Sequence, residues 1–195
     1  MASQVQICNL ALLKFGERSI LTIDDATVEA RACKALWDLI VDEMLTNYPW
    51  NFAMRRANLG AYLADTPAFE FDYQYSLPND CLRIWELYGS DAQWVVEGKK
   101  LLTNNETAEV RYIARIDDEA EFSPLFITCL SVRLAAELVV KLSGNNSMKT
   151  ALLEELYKVW LPKAQQANIR EGNPRLHKDE QAVDKGNFSW QTEGR

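Results

Sequence analysis

The stretch SPLFITCLSVRLAAELVVKL, residues 123–142, decides how the rest of the chain packs. Ser123 followed by Pro124 is typical of a helix start, because serine caps the first turn and proline fits the first helical position. The helix predicted over ~124–142 is apolar on nearly every side, so we expect it at the centre of the core. One polar stripe interrupts it, with charged residues four positions apart: Arg133, Glu137 and Lys141.

Three further helices are predicted from apolar residues at helical spacing, over ~4–15, ~25–47 and ~147–171. Ser3 and Gln6 make a capping box for the first helix. Asp24 or Asp25 is the expected cap of the second helix. Pro162 should kink or divide the last one, because proline removes a backbone donor and clashes with the preceding turn.

The segment ~52–116 between these helices is predicted to be extended. WVVEGKKLL (94–102) favours a hairpin that turns at Glu97-Gly98-Lys99, and EVRYIARI (109–116) alternates as a half-buried strand does. One small antiparallel sheet inserted between the helices is the simplest interpretation. The predicted fold class is therefore mainly α: a four-helix bundle-like core, a small inserted antiparallel β-sheet and an extended C-terminal tail.

The chain divides by composition into a single domain over 1–172 and an extended C-terminal arm over 173–195. The arm is polar and poor in aliphatic residues, so alone it should not fold. Phe188 and Trp190 have no core of their own there, and aromatic residues in such positions commonly anchor interfaces. They are the best candidates for partner contacts, and incidental aromatics in a terminal segment are the alternative.

Composition limits the possible functions. The chain has 195 residues, enough for one domain, and a net charge of −7, which argues against nucleic-acid binding as its main task. Its four cysteines lie far apart in apolar segments and there is one histidine, so we expect free buried thiols in a reducing compartment, with no metal site and no cofactor. The N-terminus has no basic region of a signal peptide, and no apolar stretch is long enough for a membrane helix, so synthesis in the cytoplasm is expected.

Few residues suggest catalysis. Carboxylates suited to glycoside hydrolysis occur in the loop before residue 123 and in the middle segment: Asp117, Asp118, Glu119, Glu121, Asp72 and Asp80. A run of adjacent acids before a helix is more typical of a solvated loop that favours the helix N-terminus. His177 lies in the arm, without a second histidine or a fixed nucleophile, so it is not expected to act as a base. Gly98-Lys99-Lys100 lacks the spacing of a phosphate-binding loop and favours a hairpin turn.

The stripe Arg133, Glu137 and Lys141 has two interpretations. The first is an intramolecular row of ion pairs along the helix. The second is an edge between subunits, since charges that repeat along a packed helix suit side-by-side packing in a ring. The sequence leaves both open.

Several short phrases, in this order, resemble the head-to-tail adaptor family of tailed phages, in particular the tail tubular protein A group of short-tailed phages. They cover residues ~3–172 and read Trp50-Asn51-Phe52-Ala53 with Arg55-Arg56-Ala57 and Leu59, Leu77-Pro78-Asn79-Asp80-Cys81-Leu82-Arg83, Val96-Glu97-Gly98 with Leu101-Leu102, Tyr112-Ile113, and Pro124-Leu125-Phe126.

The resemblance implies a structural, non-enzymatic protein of the virion tail or neck. Such proteins form a ring, typically of twelve subunits, between the portal protein and the tail nozzle protein. DNA passes through the lumen without specific binding, no membrane is involved, and the C-terminal segment reaches neighbouring subunits or the portal. The competing expectations are a tail-associated polysaccharide or peptidoglycan hydrolase and a cellular helical adaptor.

Overall fold

The computed structural model describes residues 2–65, 67–89 and 93–171. The helices are α1 (Gln4–Leu13), α2 (Val28–Thr46), α3 (Pro124–Ser143), α4 (Asn146–Glu155) and α5 (Leu161–Arg170), with short 3-10 turns at Asn51–Ala53 and Glu119–Glu121. Helix α3 packs against α1, α2, α4 and α5, and ten of its residues are buried. The central position predicted for residues 124–142 is confirmed.

Two of the three predicted helix caps are confirmed. Ser3 and Gln6 form the expected capping box of α1, and Ser123 accepts a hydrogen bond from the Phe126 N–H at the start of α3. Helix α2 begins later than expected, at Val28, and its cap is Thr27 rather than Asp24 or Asp25. The Asp25 carboxylate instead accepts hydrogen bonds from Leu21 and Thr22 in the preceding loop, so it is not free to cap a helix.

The last helical segment is continuous but contains a π-helical turn, Leu156–Trp160, between α4 and α5. The Leu161 N–H reaches back five residues to the Leu156 carbonyl. Pro162 follows immediately; it offers no N–H and its ring crowds the carbonyl four residues before it. Widening the helix here accommodates the proline, so the helix continues through the position where a kink or a division was predicted.

Six strands make two separate antiparallel sheets. Sheet A has the order β1–β6–β3, from Met54–Asn58, Glu109–Ala114 and Cys81–Leu87. Sheet B has the order β2–β5–β4, from Tyr73–Ser76, Lys100–Thr103 and Trp94–Glu97. The hairpin between β4 and β5 turns at Gly98-Lys99, where Gly98 has a φ of 60°, so the predicted hairpin is confirmed.

The predicted fold class is wrong. About 48% of the described residues are helical and 18% lie in strands, with four helical rods and two three-stranded sheets, so the protein is not a mainly-α bundle with one small inserted sheet. Strand β2 pairs with β5, more than twenty residues along the chain, and not with β1. Which strands pair over such distances cannot be read from neighbouring residues. The sequence therefore suggested one sheet, whereas the strands form two.

Helices and both sheets share one apolar core. An aromatic cluster joins the start of sheet A to α3: Trp50 lies 5.2 Å from Phe126 between ring centres, and Phe52 lies 5.0 Å from it. The Trp50 indole N–H donates to the Met44 carbonyl at the end of α2. From sheet B, Tyr75 and Leu101 are fully buried in the same core. Helix α2 thus contacts sheet A, and sheet B shares the core with the helices through these two residues.

Candidate interaction surfaces

Arg133 joins α2 to α3. Its guanidinium pairs with Glu43 at 2.9 Å and with Glu137 at 2.6 Å, and Glu137 also pairs with Lys149 on α4 at 2.8 Å. Burial alone would raise the pKa of Glu137, but hydrogen bonds from Lys149 and Arg133 lower it below its ordinary value. Two members of the stripe therefore form an ion-pair network within the chain. Lys141, the third, is exposed and makes no ion pair with any described residue.

Arg115 makes a second network, at the end of β6. It pairs with Asp38 at 2.8 Å, with Asp42, and with Asp117 at 3.4 Å, so it holds sheet A against α2. Burial opposes its charge, but the hydrogen bonds from Arg115 to Asp38 and Asp42 raise its pKa above the ordinary value. Three carboxylates surround the single arginine, so this cluster carries a net negative charge.

The acids considered for hydrolysis are mostly exposed and engaged in local structure. Asp118 accepts a hydrogen bond from the Ala120 N–H, and Glu121 pairs with Arg55 at 2.8 Å. Asp80 accepts a hydrogen bond from the Tyr112 hydroxyl at 3.3 Å. A general acid needs an apolar environment that keeps it protonated. Exposed side chains of this kind lack that environment.

A cavity of about 450 Å³ lies on sheet A at the exposed end of its three strands. In the ladder Arg56 stands opposite Arg111, and Arg111 pairs with Glu86 at 3.0 Å. Glu109 and Tyr88 complete the polar lining. The arginines and the glutamates balance in charge, so the cavity favours neither an anion nor a cation.

Two exposed aromatic residues lie on β3 and directly after it. Trp85 sits where β3 departs from regular pairing with β6, and it is 40% exposed. The Arg83 guanidinium lies 5.7 Å from its ring centre. Irregularities of this kind commonly redirect a side chain out of a sheet. Tyr88, further along the strand, is also exposed.

The two outer strands of sheet B differ in what covers them. At β2, the Gln74 carbonyl accepts a hydrogen bond from the Leu63 N–H at 2.8 Å, and the Gln74 side chain bonds to the Asp65 carbonyl. At β4, Val95 and Val96 are each 40% exposed. No backbone hydrogen bond beyond the pairing with β5 reaches β4 from the described parts of the chain. Strand β4 therefore has no backbone-paired neighbour on its outer side among the described residues.

One contact that the sequence analysis missed fixes α5 to the start of sheet A. The Asn168 side chain accepts a hydrogen bond from the Asn51 N–H at 2.7 Å and donates to the Pro49 carbonyl at 3.3 Å. The Asn168 carbonyl accepts from the Asn51 side chain at 2.6 Å. Asn168 lies on the buried face of α5, in line with Leu161 and Ala164. A polar residue among apolar ones at this spacing is the sequence pattern that could have predicted the contact.

All four cysteines are free thiols; Cys8, Cys33 and Cys129 are buried and Cys81 is partly buried. The hydrogen bond with Cys33, together with burial, raises the pKa of Cys8 well above its ordinary value. Burial raises the pKa of Cys129 to about 11. Within residues 2–65, 67–89 and 93–171, no three His, Cys, Asp or Glu side chains are arranged to hold a metal ion.

The remaining candidates, Phe188, Trp190 and His177, lie outside the described residues. None of the described helices combines the length and apolar character needed to cross a membrane. No protein-family model and no curated protein matches this chain.

Proposed function

We propose that this chain is a structural virion protein: a head-to-tail adaptor that forms a ring, of twelve subunits, between the portal and the tail nozzle of a phage. The ring provides the nozzle with its binding surface and lets DNA pass through its lumen. The chain carries out no catalysis in this role. The proposal rests on the resemblance of the phrases quoted above, and the observations below support it.

The main support for the proposal is that residues from separate resembling phrases contact one another in the folded protein. Trp50 and Phe52 come from one phrase and Phe126 from another, more than seventy residues away, and the three rings pack together. Asp80 and Tyr112, from two further phrases, share a hydrogen bond. Phrases that are separate in the chain thus meet in the folded protein, as expected if they are parts of one inherited framework.

The charges also suit an assembling subunit. Arg133 and Arg115 use their charge within the chain, where they hold α2 against α3 and sheet A. Lys141, beyond the Arg133 network on the same helix, is left exposed. The edge-to-edge contact in the proposed ring therefore uses Lys141, while Arg133 and Glu137 keep the helix in position for it.

The acidic balance of the chain is consistent with a DNA channel. A net charge of −7 repels the DNA backbone, so a lumen lined with carboxylates would avoid adhesion during passage. The arm 173–195 would order on contact with a neighbouring subunit or the portal, which costs conformational entropy at the moment of binding. Phe188 and Trp190 are its proposed anchors.

Electron microscopy of the purified chain mixed with the portal protein of the same phage tests the proposal. We expect rings stacked on the portal, and a variant truncated after Gly172 should form fewer of them. Lys141→Glu should weaken ring formation, whereas Lys158→Glu, at an exposed site that pairs with Glu154 alone among the described residues, serves as the matched control. A chain that ignores the portal contradicts the proposal. Glycan cleavage by that chain, lost in Asp80→Asn or Glu121→Gln, would favour the hydrolase instead.

A further inference from the structure

Two of the four charges in the sheet A cavity have no partner among the described residues. Arg56 stands directly opposite Arg111, and like charges in that arrangement destabilise a sheet. Glu86 neutralises Arg111 at 3.0 Å, but Arg56 is exposed and forms no ion pair with any described residue. Glu109 is also exposed and unpaired within residues 2–65, 67–89 and 93–171. The cavity thus offers one guanidinium and one carboxylate to a ligand.

The rest of the lining suits an aromatic side chain. Tyr88 is 67% exposed, and Ala57 and Val110 add apolar atoms to the wall. A guanidinium is attracted to the face of an indole ring more strongly than to the other aromatic rings. A carboxylate accepts the indole N–H, which is a donor only. The site therefore fits a tryptophan that is flanked by charged residues of both signs.

The C-terminal arm begins beside the same sheet. The Asn51 side chain, just before β1, donates to the Glu171 carboxylate at 3.4 Å and to the Asn168 carbonyl at 2.6 Å. Arg56 is five residues after Asn51, so at most about 18 Å separates the two. Trp190 is nineteen residues after Glu171, and a random coil of that length spans about 24 Å. The arm is therefore long enough to reach the cavity of its own chain.

We infer that the arm 173–195 docks on the sheet A cavity of its own chain, with Trp190 as the anchor. The indole ring packs between the Arg56 guanidinium and the Tyr88 ring, and its N–H donates to the Glu109 carboxylate. Arg56 thereby gains the partner that it lacks among the described residues. Phe188, the other aromatic residue of the arm, has no N–H to donate, which is why Trp190 is the anchor.

The residues that follow Trp190 match the charges of the cavity. Glu193 and Arg195 supply one charge of each sign, as Arg56 and Glu109 do. Tethering a segment to its site gives a local concentration on the order of millimolar, so a contact too weak to hold a free ligand is still populated. Reach, charge and tethering together select the chain's own arm as the occupant.

This contact goes beyond the proposed ring, because it belongs to the chain before it meets a partner. An arm held on its own subunit does not engage another one, so a neighbouring subunit or the portal has to displace it. A chain that docks its arm but never stacks on a portal supports the docking alone. Portal-bound rings built from subunits whose arm is free in solution support the adaptor alone.

Fluorine NMR of the full chain labelled with fluorotryptophan tests the docking. The chain has six tryptophans, and the signal missing from Trp190→Phe is that of Trp190. We expect this signal away from the position of a free fluoroindole and unchanged on dilution, since docking within one chain does not depend on concentration. A signal at the free position overturns the inference. A shift that disappears on dilution also overturns it, in favour of the arm of a second copy.

Substitutions in the cavity test where the arm docks. Arg56→Glu should lower the ratio of docked to free arm about tenfold, because it removes the guanidinium from the indole ring and repels Glu193. Arg83→Glu is the matched control, since Arg83 is an exposed arginine of the same sheet outside the cavity lining. It should leave the Trp190 signal in place.

A second variant keeps the test decisive if Arg56→Glu fails to fold. Tyr88→Ser changes an exposed side chain and should also shift the Trp190 signal toward the free position. An unchanged signal from the buried Trp50 establishes that each variant is folded. A docked Trp190 that ignores the cavity substitutions overturns the inference, because the arm then binds elsewhere.

Discussion

The aromatic cluster at the start of α3 and the β4 edge of sheet B use the same kinds of side chain in opposite ways. Trp50 is 1% exposed, its indole N–H is bonded to Met44, and it is surrounded by Tyr48, Phe52 and Phe126. On β4 the apolar side chains stay partly exposed, and no described residue outside β5 forms a backbone hydrogen bond with the strand. Apolar residues thus stabilise the fold in the first region and remain partly exposed in the second.

The sharpest test of this difference compares two tryptophans. Trp50→Ala should lower the free energy of unfolding by about 3–5 kcal/mol, because it opens a cavity in the core and removes a hydrogen bond. Trp85→Ala, at an exposed site on sheet A, should cost about 1 kcal/mol or less. Urea unfolding followed by circular dichroism measures both. Equal losses would mean that Trp85 is packed as tightly as Trp50, which contradicts the described structure.

A smaller effect is expected at the Asn168 contact. Asn168→Ala leaves the Asn51 N–H and the Pro49 carbonyl without partners, and an unsatisfied buried polar group costs about 1–3 kcal/mol. Gln166→Ala, on the exposed face of the same helix, is the matched control and should change stability little. If both variants unfold at the wild-type urea midpoint, the contact does not hold α5 in place.

The Arg133 network should stabilise the folded protein to an extent that depends on pH. The folded-state pKa of Glu137 lies below its ordinary value of 4.5. The stabilisation is therefore fully present above pH 4.5 and is lost as the pH falls through the folded-state pKa. Glu137→Gln should cost about 1 kcal/mol at pH 7, since the pair is partly exposed.

Unfolding of wild type and Glu137→Gln at a series of pH values checks this. The difference between the two proteins should shrink as the pH falls below 4.5. Glu154→Gln breaks only the exposed pair with Lys158 and should show little difference at any pH. A Glu137→Gln penalty that is constant down to strongly acidic pH would show that the ion pairs do not contribute.

Local signals made much of the fold predictable. The capping box at Ser3, the Ser123-Pro124 helix start and the turn at Gly98-Lys99 each depend on a few neighbouring residues, and the structure has all three. The start of α2 was missed because Asp24, Asp25 and Thr27 are all acceptable caps. The loop hydrogen bonds of Asp25 decide between them, and they are visible only after the chain has folded.

Contacts between distant segments could not be predicted from the sequence. The pairing of β2 with β5 produced a second sheet that no local pattern indicates. The stripe on α3 was recognised, but its partner Glu43 lies ninety residues earlier, so the sequence could not choose between an internal network and a subunit edge. The structure assigns Arg133 and Glu137 to the internal network and leaves Lys141 exposed.

Cryo-electron microscopy of the virion neck tests the adaptor proposal most directly. The account predicts a ring directly below the portal whose subunits show this chain's helical core and two three-stranded sheets, with density for the arm on a neighbouring subunit or on the portal. A neck in which that layer is built from a different chain, with this protein absent from the particle, would contradict it.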